Sequence, residues 1–373
     1  MTVRQATLAD AHALASLEQA VFSSDRLSLR QFKHHLRSAH AELWLAEDDV
    51  GVLGYGLVLL RRGTRLARLY SLAVDPRARG QGIAGRLLQT LEHQARQRGR
   101  VDLRLEVAQN NLSAQALYIR HGYQPFDVWS DYYADHQAAV RMQKRLHRSH
   151  PNESAIKVPW LAQSTEFTCG PAALQMALAA LQPGYTASRT AELQLWREAT
   201  TIFMTSGHGG CHPIGLALAA HARGLHAQVW LSTAEALFVD GVRQPDKKEV
   251  LDIVHQQFVE QAQQQSIGIE YAVPSPDQVR QCLSEGGLCL ALISTWRWDR
   301  RKAPHWVLLV DADEHGLYVH DPDGDEHDPG GIDAAQVPLA WSDFLSMASY
   351  GRSKLRAYVM LHAQASQSPT LEA

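Results

Sequence analysis

The sequence predicts two domains in tandem, both of the mixed α/β (α+β) class. The chain has 373 residues, which exceeds the size at which one hydrophobic core keeps growing. Short apolar runs alternate with segments of helical periodicity in both halves. The polar stretch HRSHPNESAIK separates these halves. We therefore expect a first domain over residues 1–147, a linker over 148–157, a second domain over 158–362 and a disordered tail over 363–373.

In the first half, apolar runs bounded by glycine, proline and aspartate predict strands, and amphipathic periodicity predicts helices. The expected helices cover Ile83–Arg98, which stops at Gly99, and Ser113–His121. The expected strands are Leu43–Ala46, Val52–Leu60, Leu66–Val74, Leu103–Val107, Tyr123–Val128 and, at the sheet edge, Ala138–Leu146.

The second half repeats the alternation. Thr168 is expected to cap a helix that runs to about Leu181, with Pro171 in its first turn. Further helices are expected over Pro213–Gly224 and Lys247–Gln265. Late strands are expected at Leu288–Thr295, Trp306–Val310, Gly316–His320 and Ala357–Leu361.

Charge is distributed unevenly along the chain. Residues 1–150 hold 21 Lys and Arg against 14 Asp and Glu, whereas the remainder holds 15 against 25. A basic half suits a phosphate-bearing cofactor, and an acidic half suits a basic or amine-bearing peptide. Docking of the two halves on each other explains the same asymmetry equally well. No basic tract interleaved with aromatic residues indicates a nucleic-acid partner, and nothing in the sequence determines the oligomeric state.

Several absences narrow the class of protein. No stretch of eighteen apolar residues occurs, and the N-terminus lacks a basic-then-apolar signal pattern, so we expect no membrane insertion. Four cysteines in a chain of this length do not make a disulfide framework, which favours a reducing cytoplasm. His208, Cys211 and His212 lie close together, but without an evident fourth ligand they predict a glycine-rich turn and no metal site.

The first set of chemically active residues includes a tight loop before a helix. Such a loop points successive N–H groups at an anion, and the helix N-terminus adds positive potential. The loop comprises Arg79, Gly80, Gln81, Gly82, Ile83 and Ala84. Alone, a Gly-x-Gly pair is often only a turn.

A second motif follows at fixed spacing, from Asn111 through Ala114, Leu117 and Tyr118 to Gly122-Tyr123. Together the two motifs resemble the GNAT superfamily of acetyl-coenzyme-A N-acetyltransferases over roughly residues 2–145. Leu105-Glu106-Val107 before the second motif makes the ribosomal-protein alanine N-acetyltransferases the nearest likeness.

The resemblance implies a mixed twisted sheet and an acetyl-CoA cofactor bound along Leu72, Ala73 and Val74 and the Arg79–Ala84 loop. It also implies that Asn111 contacts the pantetheine region and that Tyr118 donates a proton to the departing thiolate. The chemistry further requires a base for the amine, for which Glu106 is the candidate, acting through water, and an N–H near Val74 to polarise the thioester carbonyl. Alternatively, Glu106 is a surface residue and Tyr118 a packing residue. Trp129, Tyr132 and Tyr133 either shape the acceptor site or simply pack.

The second set suits attack by a thiolate on a carbonyl. Cys169 lies at the predicted start of a helix, where the backbone dipole favours a thiolate. His305 opens one predicted strand and Asp321 closes the next, so neighbouring strand ends bring together a base and its orienting carboxylate. Gln163, six residues before the cysteine, is positioned to donate to an oxyanion with the Cys169 N–H.

Gln163, Cys169-Gly-Pro and the His305–Asp321 spacing resemble papain-like peptidases of the bacteriocin-processing family, over about residues 156–362. Those enzymes cleave leader peptides after paired glycines. The family usually fuses this domain to a membrane exporter, which is not seen here. The cysteine-to-histidine distance of 136 residues leaves room for an insertion around 183–275.

The leading hypothesis is a bifunctional enzyme acting on a peptide or protein: acetyl transfer to an amine plus thiol-dependent peptide hydrolysis. The alternative is an N-acetyltransferase whose peptidase-like half only binds and recruits the target. A third possibility is amide-forming chemistry at the same thiol, since an acyl-enzyme can be captured by an amine instead of water.

Overall fold

The protein is described by a computed structural model that covers residues 1–133, 136–146, 156–204, 207–324 and 334–364. The chain divides into two compact units, Met1–Arg148 and Ser149–Ala373. Most of the expected linker, residues 148–155, and most of the expected tail, residues 365–373, lie outside the described residues. No helix in the described ranges is long and apolar enough to span a bilayer.

The described residues of the first unit form a seven-stranded mixed sheet and four α-helices. The strands are β1 (Thr2–Gln5), β2 (Ala41–Asp48), β3 (Gly51–Leu60), β4 (Leu66–Val74), β5 (Asp102–Ala108), β6 (Gln124–Trp129) and β7 (Ala139–Arg145), in the order β1-β2-β3-β4-β5-β7-β6. The helices are α1 (Ala11–Val21), α2 (Leu29–Arg37), α3 (Ile83–Gln97) and α4 (Leu112–Arg120).

Strands β4 and β5 form the one parallel pair of this sheet in the described residues, and they stay paired only briefly. The printed register joins Leu66–Arg68 to Asp102–Arg104, although β4 continues to Val74 and β5 to Ala108. The β3–β4 register shifts between Leu57 and Val58, which leaves an extra residue on β4. A bulge of this kind bends a strand away from its neighbour. The two central strands therefore diverge toward their carboxyl ends.

The expectation that the last strand lies at the sheet edge is wrong. β7 lies between β5 and β6, and β6 takes the edge. β7 pairs with the full length of β5 on one side and with β6 on the other, so backbone groups on both of its edges have partners. Ala139, Arg141 and Met142 of β7 are buried between these neighbours, whereas Phe126 and Val128 of β6 stay exposed.

The second unit also has a seven-stranded mixed sheet, in the order β11-β10-β16-β12-β13-β14-β15, and a two-stranded β8–β9 ribbon. The strands are β8 (Phe203–Met204), β9 (Gly207–His208), β10 (Leu225–Leu231), β11 (Gly268–Glu270), β12 (Leu288–Ser294), β13 (Pro304–Ala312), β14 (Gly316–His320), β15 (Val337–Ala340) and β16 (Ala357–Ala363). The helices are α5 (Cys169–Leu181), α6 (Arg189–Ala199), α7 (Pro213–His221), α8 (Pro245–Gln264), α9 (Pro276–Ser284), α10 (Trp296–Asp299) and α11 (Trp341–Met347).

The region 183–275 is part of the core of this unit. Helices α6, α7 and α8 and strand β10 come from it, and their apolar side chains pack with α5 into one cluster against the sheet. A second cluster covers the other side of the sheet with α9 and α11. The long cysteine-to-histidine spacing therefore contains core helices and strands, not a separate insertion. The mixed α/β fold class is confirmed in both units.

Candidate active sites

The loop before α3 has the geometry of an anion-binding turn. Gly80 and Gly82 have φ of +78° and +76°, and a Cβ built on either would meet nothing within 4 Å. Gly82 directly precedes α3 at the N-cap position, and no side chain caps this helix. The first N–H groups of a helix have no partner within it. The loop therefore offers backbone donors beside open space, which fits a pyrophosphate-bearing cofactor.

This loop follows directly from the diverging strand β4. Leu72, Ala73 and Val74 pair with β3 through Gly56, Tyr55 and Gly54, so the other side of these residues faces the gap beside β5. Backbone groups on an unpaired strand edge are free to bond an extended ligand. The strand edge and the loop together suit a ligand with both an extended arm and phosphates.

Glu106 of β5 lies in a polar and aromatic cluster. Its Oε2 accepts a hydrogen bond of 3.0 Å from Arg68 Nε, and Nη2 of the same arginine donates to the Tyr132 hydroxyl at 2.8 Å. The Tyr132 ring packs edge-on against Tyr133, with centroids 4.8 Å apart. The sequence reading missed Arg68, whose position on the strand beside Glu106 was its only signal.

Tyr118 lies in the same cluster and is buried. Burial, and then the charge of Glu106, raise the pKa of the Tyr118 phenol above its ordinary value. Burial, and then its neighbours Tyr132 and Glu106, raise the pKa of Tyr133 in the same way. Both phenols are therefore protonated at neutral pH, and each can donate a proton.

Asn111 directly precedes α4, and its side chain caps that helix. Its Oδ1 accepts from the Ala114 N–H at 3.1 Å and from the Ser113 hydroxyl at 3.0 Å. This cap satisfies a first-turn amide and fixes where α4 begins. The residue is exposed, so its Nδ2 group is accessible to a ligand.

Cys169 is the first residue of α5, as the sequence predicted, but Thr168 does not cap the helix through its side chain. The Thr168 hydroxyl instead bonds back to Thr165, accepting from its N–H at 3.2 Å. A hydroxyl used in that turn is unavailable to the helix. The first-turn N–H groups of α5 thus remain open at the thiol.

His305 and Asp321 meet as expected from neighbouring strand ends. The His305 Nε2 and the Asp321 Oδ1 are 2.7 Å apart, and both side chains are almost fully buried. Burial disfavours the imidazolium, yet the charge and hydrogen bond of Asp321, and then the neighbouring Cys169, raise the pKa of His305 well above its ordinary value. Cys169, His305 and Asp321 therefore lie together as a thiol–imidazole–carboxylate group.

Gln163 is tied to this chain through the backbone. Its N–H donates to the Pro322 carbonyl at 2.8 Å, one residue after Asp321. Its side-chain Oε1 is buried without a hydrogen-bond partner in the described part of the chain. The Trp160 indole donates to the Asp321 carbonyl at 2.7 Å, which fixes the same turn from the other side. Trp160 carries a positioning role that no motif had indicated.

The His208, Cys211 and His212 stretch packs against the thiol site without converging on a common point. Cys211 is buried, and a Cβ on Gly170 would lie 3.1 Å from the Cys211 Cβ. Burial, and then Cys169, raise the pKa of the Cys211 thiol well above its ordinary range. The His212 Nε2 lies 3.0 Å from the His255 Nδ1. Over the residues described, no group of three or more potential ligands could hold a metal ion.

The remaining cysteines have no role at either site. Cys282 and Cys289 are buried in the apolar cluster on the α9 side of the sheet. All four cysteines are free thiols.

Family models match both units. The Acetyltransferase (GNAT) family matches residues 10–123, and the Peptidase_C39 like family matches residues 158–362. The proposed positions of the loop, the second motif and the thiol set all fall within these two ranges. GNAT acetyltransferases use acetyl-CoA, and the loop described above fits that cofactor.

Curated relatives match in part. A [ribosomal protein bS18]-alanine N-acetyltransferase of Haemophilus ducreyi is 43% identical over 67 residues, which are 18% of this chain and 46% of the relative. The uncharacterized N-acetyltransferase YhfO of Bacillus subtilis is 31% identical over 134 residues, 33% of this chain and 90% of the relative. This chain spans less than half the length of the H. ducreyi protein and of two N-acetyltransferases from Rattus norvegicus.

Among solved structures, the ribosomal-protein-S18-alanine N-acetyltransferase from Escherichia coli matches at 23% identity with a TM-score of 0.37. The match covers 40% of this chain and 97% of that one.

Proposed function

Since the chain belongs to the Peptidase_C39 like family and carries a GNAT acetyltransferase domain ahead of that region, we propose that it is a bifunctional peptide-modifying enzyme. One site transfers acetyl groups to an amine, and the other hydrolyses a peptide bond through a thiol. The buried His305–Asp321 bond beside Cys169 carries the second half of this proposal, because an inert cysteine needs no buried ion-pairing histidine.

At the thiol site, His305 takes the Cys169 proton, and the resulting thiolate attacks the scissile carbonyl carbon. The first-turn N–H of α5 and the Gln163 amide donate to the oxygen as it becomes negative. Imidazolium then gives its proton to the departing amine, and the C–N bond breaks. Water, deprotonated by the same imidazole, releases the acyl group as a carboxylate and restores the thiol. Asp321 holds the ring in position throughout and stays ionised.

At the other site, bound acetyl-CoA supplies a thioester-activated acetyl group. The Arg79–Ala84 loop binds its phosphates, and the N–H near Val74 polarises the carbonyl. Glu106 accepts the proton of the attacking amine through water, and Tyr118 supplies a proton to the leaving sulfur. The Arg68–Glu106 ion pair supports an ionised carboxylate, which is the form a base requires.

The two reactions suit one substrate because hydrolysis creates a new α-amine and acetyl transfer consumes one. The test is to incubate the protein with acetyl-CoA and a peptide library and to read product masses. We expect peptides that are cut and acetylated at the new terminus. The Cys169→Ala variant should leave the precursor both uncut and unacetylated. The Tyr118→Phe variant should still cut the precursor.

Two results would contradict parts of the proposal. Acetylation of an uncut precursor by the Cys169→Ala variant at the normal rate would exclude sequential coupling. Failure of a thiol-directed peptide probe to label Cys169 would favour a peptidase-like unit that only recruits the target. Products in which an amine replaces water would instead indicate amide-forming chemistry.

A further inference from the structure

A large cationic groove lies within the second unit, with a volume of about 1170 Å³. The groove lies at the end of the sheet where strands β10 and β12 end and β16 begins. Its walls carry five cations, Arg243, Arg297, Lys302, Arg352 and Lys354, against two carboxylates, Glu235 and Asp240. Residues 151–373 as a whole hold 15 Lys and Arg against 25 Asp and Glu. The groove is therefore positive within an acidic half of the chain.

These cations are largely available to a ligand. Of the five, Arg297 has a salt bridge, to Asp343, and within the described ranges the other four make none. Arg352 and Lys354 are exposed on a turn closed by reciprocal backbone hydrogen bonds between Tyr350 and Leu355. A fixed turn that presents two unpaired cations costs little further ordering when an anionic group binds.

The groove lies one strand pair away from His305 of the thiol site. Ser294 lines it and pairs with Pro304, and the adjacent pair of residues is Ile293 and His305. The segment 296–303 forms one wall and leads directly to the catalytic histidine. It is pinned by Thr295, whose N–H donates to Ala303 and whose hydroxyl donates to Arg301. A chain bound in the groove would therefore run toward the Cys169–His305 pair.

Aromatic side chains line the same groove. Trp296 is 42% exposed, and Lys302 lies 5.4 Å from its ring centroid. Phe238 and Tyr350 pack with ring centroids 6.2 Å apart. An exposed Trp296 and the half-buried Phe238 and Tyr350 next to cations suit a ligand with both apolar and negative groups.

We infer that this groove binds an acidic segment of the peptide substrate, with Asp or Glu side chains interspersed with apolar ones, and directs the adjoining peptide bond to Cys169. The inference rests on the proposed function in treating the bound segment as the substrate of the thiol site. It reverses the expectation from total charge that this half prefers a basic peptide.

The test uses the full chain with Cys169→Ala, so that binding is measured without turnover. A fluorescein-labelled peptide of alternating Glu and Leu is titrated and followed by anisotropy, beside a matched peptide with Gln for Glu. We expect the acidic peptide to bind more tightly, and binding to weaken with added salt. Arg352→Glu with Lys354→Glu should weaken it by about tenfold, whereas Arg189→Glu, exposed on α6, should leave it unchanged.

Equal binding of both peptides, or no loss on double charge reversal, would overturn the inference. So would tighter, competing binding of a single-stranded oligonucleotide of equal charge, which would assign the groove to nucleic acid. A last measurement separates this inference from the proposed function: the peptide should protect Cys169 of the wild-type chain from iodoacetamide. Binding without protection refutes the link to the thiol site, and a Cys169 that resists the reagent without peptide refutes the thiol chemistry itself.

Discussion

The contact between Asp321 and His305 offers the sharpest test of the thiol site. Asp321→Asn keeps the shape of the side chain but removes its charge, and an amide oxygen can still accept the Nε2 hydrogen bond. Burial, which disfavours the imidazolium, stays unchanged in the variant. The charge that had outweighed it is gone, so the pKa of His305 should fall from its raised position.

The size of the effect follows from the burial of both partners. The side chains of His305 and Asp321 are 7% and 4% exposed, so solvent does little to screen the pair. Breaking a buried ion pair by removing one charge costs at least about 3 kcal/mol. Each 1.36 kcal/mol changes an equilibrium constant about tenfold. The ratio of thiolate–imidazolium to neutral thiol–imidazole should therefore fall about a hundredfold.

The assay is the rate of iodoacetamide reaction at Cys169, followed by intact mass at pH 7. The wild-type chain should react rapidly at one cysteine, because Cys211, Cys282 and Cys289 are buried. Cys169→Ala should remove the rapid phase. Asp321→Asn should slow it by up to about a hundredfold, and Asp277→Asn, an exposed carboxylate on α9, serves as the matched control.

The sign of the pH dependence gives a second check on the same pair. The pKa of His305 is raised in the folded state, so the pair contributes its full stabilisation at pH values below the pKa of an unfolded histidine, about 6.5. That contribution is lost as pH rises through the raised folded value. Asp321→Asn should thus lose most stability at acidic pH. A folded Asp321→Asn variant that alkylates within about threefold of the wild-type rate would refute the role given to Asp321.

Three further changes test neighbouring features. Gly170→Ala should lower the free energy of unfolding by about 1–2 kcal/mol in denaturant titrations, because its Cβ would lie 3.1 Å from Cys211 and 3.2 Å from Trp306. An unchanged unfolding midpoint would show that these two side chains move aside without cost. Gly82→Ala should weaken acetyl-CoA binding by about 5- to 30-fold in calorimetry, because a left-handed backbone costs a residue with a Cβ about 1–2 kcal/mol. An unchanged affinity would show that this loop does not bind the cofactor. Burial, and then the neighbouring histidine, hold the pKa of His212 well below its ordinary value, so below a pH of about 6.5 the unfolded chain binds more protons than the folded chain. The free energy of unfolding should therefore fall there by up to about 1.4 kcal/mol for each pH unit. His212→Gln should reduce this pH dependence in thermal melts, and an unchanged pH dependence would assign the titration to another residue.

Patterns that act over short stretches predicted the elements that carry chemistry. The helix expected over Ile83–Arg98 is observed as Ile83–Gln97, and the strand expected over Leu66–Val74 has those bounds. The meeting of His305 and Asp321 was also predictable, because consecutive antiparallel strands place the start of one beside the end of the next.

Features set by distant contacts could not be predicted in this way. The position of β7 inside the sheet depends on which strand pairs with β5, a contact between residues more than thirty positions apart that no local pattern encodes. The Thr168 hydroxyl could bond either the first turn of α5 or Thr165, and in the structure it bonds Thr165. Helix α2 did carry a readable signal, the Ser28–Gln31 capping box, which was overlooked.

The glycine turn and the cysteine helix share one physical device in two unrelated chemistries. Helices α3 and α5 both begin without a side-chain cap, whereas Ser188 and Ser275 cap α6 and α9 in the second unit. An uncapped helix start leaves its N–H groups and its positive end to whatever anion arrives. At Gly82 that anion would be a phosphate, and at Cys169 it would be a thiolate followed by an oxyanion. Helices α1, α8, α10 and α11 also begin without a side-chain cap, so an open helix start indicates chemistry only where further residues accompany it, as the glycine loop does at α3 and the His305–Asp321 pair does at α5.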